Sequence, residues 1–162
     1  LNIIGILTFF FGLTMIVPLL VGLYYHDQSV IPLLKYMGLT IAAGLILHLI
    51  FKSGKVEVIN QREGMAIVAV GWTAVGLFGA LPFYFASGFE SFADAAFESV
   101  SGFTTTGASI LTNIEAISKG LLFWRSLIQW LGGMGIITLF IALFPLLGIG
   151  AAHLMEAADA GQ

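Results

Sequence analysis

Apolar residues in this chain fall into four long blocks separated by short polar stretches. Leu1–Tyr25 and Met65–Phe89 each run 25 residues without an Asp, Glu, Lys or Arg, and Ser126–Ala152 does so for 27. Ile31–Phe51 is interrupted only by Lys35 and His48. A helix of about 20 apolar residues crosses the hydrocarbon of a bilayer. The pattern therefore predicts spanning helices over residues 3–25, 31–51, 65–86 and 120–148. Pro32 lies in the first turn of the second, where a missing N–H is tolerated. The first block lacks a basic flank and a small-residue cleavage site, and it is longer than a signal-peptide core. It reads as a spanning helix.

The connection between the third and fourth helices departs from the pattern. An outer loop would be polar throughout, but Ser91-Phe92-Ala93-Asp94-Ala95-Ala96-Phe97-Glu98-Ser99-Val100-Ser101-Gly102-Phe103 reads as a short helix. Ser91 and Asp94 form a helix-start pattern. Phe92, Ala96, Ser99 and Phe103 recur at spacings of three and four, which predicts that they share a face. A helix over about 92–103 reaches only about half-way across the hydrocarbon. Thr104-Thr105-Thr106-Gly107-Ala108-Ser109 follows, with little helix propensity. Non-helical backbone is tolerated at membrane depth only where protein buries it or water bathes it. A half-length helix can direct its negative C-terminal end at a cavity, and the stretch after it can offer carbonyl oxygens in place of an ion's hydration shell. Gly107 permits the backbone angles required.

Composition narrows the class further. Hydrophobic residues make up 59% of the chain and charged residues 9%, with a mean hydropathy of +1.02. Soluble domains carry about 25% charged residues. There is no cysteine, which excludes disulfides and thiolate chemistry, and six Lys and Arg cannot build a nucleic-acid footprint. Lys52, Lys55 and Arg62 lie between the second and third helices. The turn at 26–30 has no basic residue, and 88–119 carries Glu90, Asp94, Glu98 and Glu115 against Lys119 alone. The positive-inside rule then puts the 52–64 loop and both termini in the cytoplasm.

The residues Phe97-Glu98-Ser99-Val100-Ser101-Gly102-Phe103-Thr104-Thr105-Thr106-Gly107-Ala108-Ser109 closely resemble the first pore loop of Trk/Ktr-type potassium-uptake membrane subunits. Trp124-Arg125-Ser126-Leu127-Ile128-Gln129-Trp130-Leu131-Gly132-Gly133-Met134-Gly135-Ile136-Ile137 resembles the start of the helix after that loop. The leading hairpin and Arg62-Glu63-Gly64 are similar too. The resemblance implies an all-α integral membrane fold in a bacterial inner membrane. Its parts would be a leading hairpin over 1–51, a cytoplasmic loop over 52–64, a first helix–pore loop–helix repeat over 65–150 and a tail over 151–162. It further implies four such repeats around one pore, a homodimeric full subunit, surrounding lipid, and a cytoplasmic nucleotide-binding regulatory partner. The filter strand maps to Thr105, Thr106, Gly107, Ala108 and Ser109, with K⁺ held through Thr105, Thr106 and Gly107 as transported ion and no cofactor. Against the Thr-Val-Gly-Tyr-Gly of potassium channels, Ala108 and Ser109 depart, so weaker rejection of sodium is expected. One repeat cannot encircle an ion, so a fragment or a truncated product is expected.

Plainer readings stand beside these. Thr104–Gly107 could be a polar loop closed by a C-cap glycine. Asp94 suits helix capping as well as the pore mouth. Glu98 suits a structural hydrogen bond or cation attraction, and Arg125 suits a structural pair with a carboxylate such as Glu98. Gly132, Gly133 and Gly135 cost helix stability, about 1 kcal/mol each against Ala, and suit close packing against the pore loop. His26, His48 and His153 are scattered and suggest no metal site. The rivals are a cation-coupled carrier, a non-conducting fragment and an intramembrane enzyme. The carrier lacks a midplane ionisable residue, and the enzyme lacks a paired nucleophile and base.

Overall fold

The computed structural model describes residues 2–52, 61–86, 89–114 and 117–138. The loop residues 53–60, Gly88, Glu115, the continuation of the fourth helix over 139–148, and the tail with His153 lie outside the described residues. All regular elements among the described residues are helical: α1 (Asn2–Thr14), α2 (Ile16–Tyr25), α3 (Val30–Ile50), α4 (Gln61–Phe85), α5 (Phe92–Phe103) and α6, helical from residue 119 through 138. Among the described residues, three stretches are long and apolar enough to cross a membrane: Asn2–Tyr25, Val30–Ile50 and Arg62–Phe85.

The first span is not the single helix that its apolar run predicts. Pro18 has no N–H for the carbonyl of Thr14, and its ring crowds that carbonyl. The helix breaks at Met15, whose N–H turns to the Gly12 carbonyl at 3.2 Å. The Thr14 hydroxyl donates to the Phe11 carbonyl at 2.7 Å. Hydroxyls elsewhere in the spans are satisfied on their own helix: Thr8 on Ile4, Thr40 on Tyr36 and Thr73 on Ala69. In hydrocarbon an unpaired polar group would cost several kcal/mol.

Two helices end in the same way, each with a non-glycine residue in the left-handed region. His26 has φ 52°; its N–H bonds the Leu23 carbonyl, and the next N–H, of Asp27, reaches back to Gly22. This is the paired closure of a Schellman motif. The other case closes α5.

Backbone-level contact joins the leading helices. A Cβ on Gly5 would meet the His48 amide nitrogen at 2.6 Å and the Gly44 carbonyl at 2.9 Å. Small residues let membrane helices approach this closely, and packing rather than hydrophobic exclusion holds them. The core then runs across the whole chain. Phe11 and Met15 of the first span, Leu33 of α3, Phe83 of α4, Ala95 of α5 and Leu121, Trp124 and Ile128 of α6 form one buried cluster. The hairpin and the repeat thus share a single interior.

Candidate functional site

α5 begins where its sequence places a cap. Ser91 Oγ accepts the Asp94 N–H at 3.2 Å, and Asp94 Oδ2 accepts the Ser91 N–H at 3.1 Å. Asp94 therefore performs the capping role that the sequence offered. The buried face of α5 is Ala95, Glu98, Ser99, Ser101 and Gly102. Phe92, Ala96, Ser99 and Phe103, three and four apart on this helix, share a face as expected, but it is not the most buried one. Of these only Ser99 is buried, while Phe92, Phe97 and Val100 are exposed. Small and paired polar side chains let α5 lie against α4 and α6, and Phe92, Phe97 and Val100 turn outward.

Phe103 anchors the end of the helix. Its ring meets Trp72 of α4 at 4.7 Å and Phe11 of α1 at 6.3 Å between centroids. Its carbonyl sits against Gly132 of α6 so closely that any Cβ there would collide with it. Of Gly132, Gly133 and Gly135, Gly132 is the one that close packing demands; Gly133 and Gly135 have room for a methyl group.

Beyond Phe103 the chain makes a second Schellman closure. Thr105 has φ 57°. Its N–H bonds the Gly102 carbonyl at 2.9 Å, and the Thr106 N–H bonds the Ser101 carbonyl at 3.0 Å. Thr104 donates its hydroxyl to Val100 O at 2.8 Å and lies 2.8 Å from the Thr106 hydroxyl. Gly107 has φ 73°, and a Cβ on it would meet nothing within 4 Å. Thr105, Thr106, Gly107, Ala108 and Ser109 all stand exposed.

The far side of this segment is tied to buried charge. Glu98 is 1% exposed and accepts the Arg125 Nε–H at 2.5 Å. The Ser109 hydroxyl donates to the same carboxylate at 3.0–3.1 Å, and the Ile110 N–H approaches it at 3.4 Å. Arg125 thus pairs with Glu98, as its sequence position allowed. Two contributors went unnoticed in the sequence. Ser101 Oγ donates to the Ala108 carbonyl at 2.6 Å. Trp124, fully buried, donates Nε1–H to the Gly79 carbonyl at 3.1 Å and fixes α6 to α4.

Asp27 is a third unnoticed contributor. From the α2–α3 turn it accepts the Gly120 N–H at 2.9 Å, at the start of α6. It also takes the Ser29 N–H and hydroxyl. Desolvation pushes the Asp27 carboxyl upward. The Ser29 hydroxyl and the N–H groups of Gly120, Ser29 and Lys119 outweigh that, and the carboxyl lies below its ordinary 3.8. Asp27, Glu90 and Asp94 border a cavity of about 840 Å³ beside the α5 cap and Ile110. No group of three or more His, Cys, Asp or Glu is placed to hold a metal ion among the described residues.

The TrkH family, described as cation transport protein, matches residues 32–162. The chain belongs to this family. The Trk system potassium uptake protein TrkH of Escherichia coli (strain K12) is 41% identical over 157 residues, 96% of this chain and 32% of that protein. The TrkH of Halomonas elongata is 39% identical over 155 residues, 95% of this chain and 32% of its own length. The crystal structure of the potassium transporter TrkH from Vibrio parahaemolyticus superimposes with a TM-score of 0.84 at 38% identity, over 98% of this chain and 34% of that chain. The chain therefore spans about a third of the length of the TrkH relatives it matches.

Proposed function

We propose that this chain contributes one strand of the filter in a potassium-uptake pathway, with Thr105, Thr106 and Gly107 offering oxygens to K⁺ and Ala108 and Ser109 completing the strand. The observation that carries the reading is the pair of left-handed residues, Thr105 and Gly107, two apart in an exposed segment at the end of a half-length helix. In an ordinary strand successive residues face opposite ways. Reversing the sign of φ at every second residue breaks that alternation and lets neighbouring carbonyls turn to one side. A β-branched residue at positive φ is strained, and such strain gathers at functional sites. Carbonyl and hydroxyl oxygens bear no net charge, so they can strip water from a monovalent ion and still release it.

On this reading the ion moves down its electrochemical gradient, and the remaining oxygens come from further repeats of a longer subunit. That subunit sits in a bacterial inner membrane with the chain's termini in the cytoplasm, pairs as a homodimer and binds a cytoplasmic nucleotide-binding regulator. The potassium uptake named for the TrkH relatives supports the choice of ion.

Gly107→Ser tests the reading. Open space surrounds Gly107, so the fold accommodates the hydroxymethyl group while the backbone angle and the ion-facing surface change. The chain, with its native flanking sequence, is expressed in bacteria lacking their own potassium uptake. Growth at low potassium is expected with Gly107 and lost with Gly107→Ser at equal membrane abundance. Equal growth of both would sink the filter reading.

A further inference from the structure

We infer that residues 108–110 form a latch, and that Ser101, Glu98 and Arg125 are positioning residues that set how well the strand discriminates K⁺ from Na⁺. The inference rests on the filter reading above.

The hydrogen bonds divide the segment in two. The Ser109 hydroxyl gives its proton to Glu98 and accepts the Leu111 N–H at 3.1 Å. A hydroxyl has one proton and two lone pairs, so most of its capacity is committed away from any ion. The Ala108 carbonyl is drawn back to Ser101 at 2.6 Å. Ile110 offers its N–H to Glu98. Thr105, Thr106 and Gly107 have no such ties on their carbonyl oxygens among the bonds of the described residues. Both halves are tied to α5, the first through N–H groups alone, which leaves its carbonyl oxygens without bonds among the described residues, and the second through the Ala108 carbonyl and the Ser109 hydroxyl.

The fastening point is electrically closed. Glu98 and Arg125 cancel, so the pair brings no net charge to the segment and attracts no cation. Its effect is geometric. Charge-assisted hydrogen bonds are shorter and about twice as strong as neutral ones, which makes Glu98 a firm post for the strand. Arg125 supplies the counter-charge that a buried carboxylate requires. Oxygens held at fixed spacing suit one ionic radius, and oxygens free to close in serve the smaller Na⁺ as well.

The test uses the chain with its native flanking sequence and compares Glu98→Gln and Ser101→Ala with the parent. Rubidium uptake is measured as half-saturation and maximal rate, together with its inhibition by sodium and the abundance of the protein in the membrane. The expected result is a fall in the rubidium-to-sodium preference of about tenfold in Glu98→Gln, where the bonds to a charged group are lost, and of about fivefold in Ser101→Ala, where one neutral hydrogen bond is lost. A merely structural role would lower abundance and maximal rate together and leave the preference unchanged. An unchanged preference in either variant that reaches the membrane overturns the inference. If Glu98→Gln fails to accumulate, Ser101→Ala decides alone, because it removes one hydroxyl and no charge. Gly107→Ser is run in parallel. Uptake that survives it refutes the filter reading itself. Loss there with an unchanged preference in the other two refutes the latch alone.

Discussion

Thr105 and Asp27 show how much a single side chain or backbone angle carries. A left-handed conformation costs an L-residue about 1–2 kcal/mol, and Thr105 adopts it where Schellman motifs usually use glycine. Thr105→Gly is therefore expected to raise the thermal midpoint of the detergent-solubilised protein, by the equivalent of about 1 kcal/mol. A lowered midpoint would mean that the threonine side chain contributes more than its backbone strain removes. Asp27 makes a prediction about acid. Its carboxyl titrates below 3.8 in the folded protein, so it binds protons less readily there than when unfolded. The stability this confers is complete above that ordinary value and is lost as pH falls through the lower folded value. Asp27→Asn should thus be less stable than the parent near neutral pH, and the gap should close as pH drops below 3.8. Parallel stability curves across that range would contradict the role assigned to its charge. Thr105 was read from the sequence as a filter residue but not as the left-handed close of α5, and the role of Asp27 was not legible at all. The Gly120 N–H that Asp27 accepts is a backbone group with no signature of its own, and it lies 93 positions away.

At the scale of the element, α5 was readable where its determinants are local and opaque where they are not. The Ser91 and Asp94 cap spans three residues, and the structure forms it as the pattern says. The Glu98–Arg125 pair was open to inference because opposite charges in apolar surroundings seek each other. Which face is buried was not legible, because apolarity marks the interior in water but not in lipid. Here Ala95, Ser99 and Gly102 turn inward for their size, and Phe92 and Val100 turn outward. Pro18 was visible too, yet a continuous apolar run concealed the break it makes in the first span. The α6 glycines give the sharpest element-level prediction. Gly132→Ala drives a methyl group into the Phe103 carbonyl and should lower stability by the 1–3 kcal/mol or so of overpacking. Gly133→Ala meets nothing nearer than 3.7 Å and should be neutral or stabilising by up to about 1 kcal/mol, from helix propensity. Thermal unfolding of the two variants side by side checks the ordering, and equal effects would contradict the close approach of α5 and α6.

The described chain is a hairpin and a repeat that share one core. The spans were legible because bilayer thickness imposes a length on every apolar block, and three of the four expected stretches are long and apolar enough to cross a membrane among the described residues. Their mutual arrangement was not legible, since it rests on Gly5 against Gly44, on Trp124 beneath Gly79, and on Asp27 at the head of α6. These ties differ in one respect that bears on how the protein is made. The Asp27 acceptor belongs to a turn that leaves the ribosome 93 residues before the amide it receives. Insertion into the membrane proceeds from the N-terminus, so the hairpin is already in place when the start of α6 emerges. The turn then offers a docking point for the start of α6, and the segment between them is held as a loop whose two ends are fixed in order, first the older and then the younger.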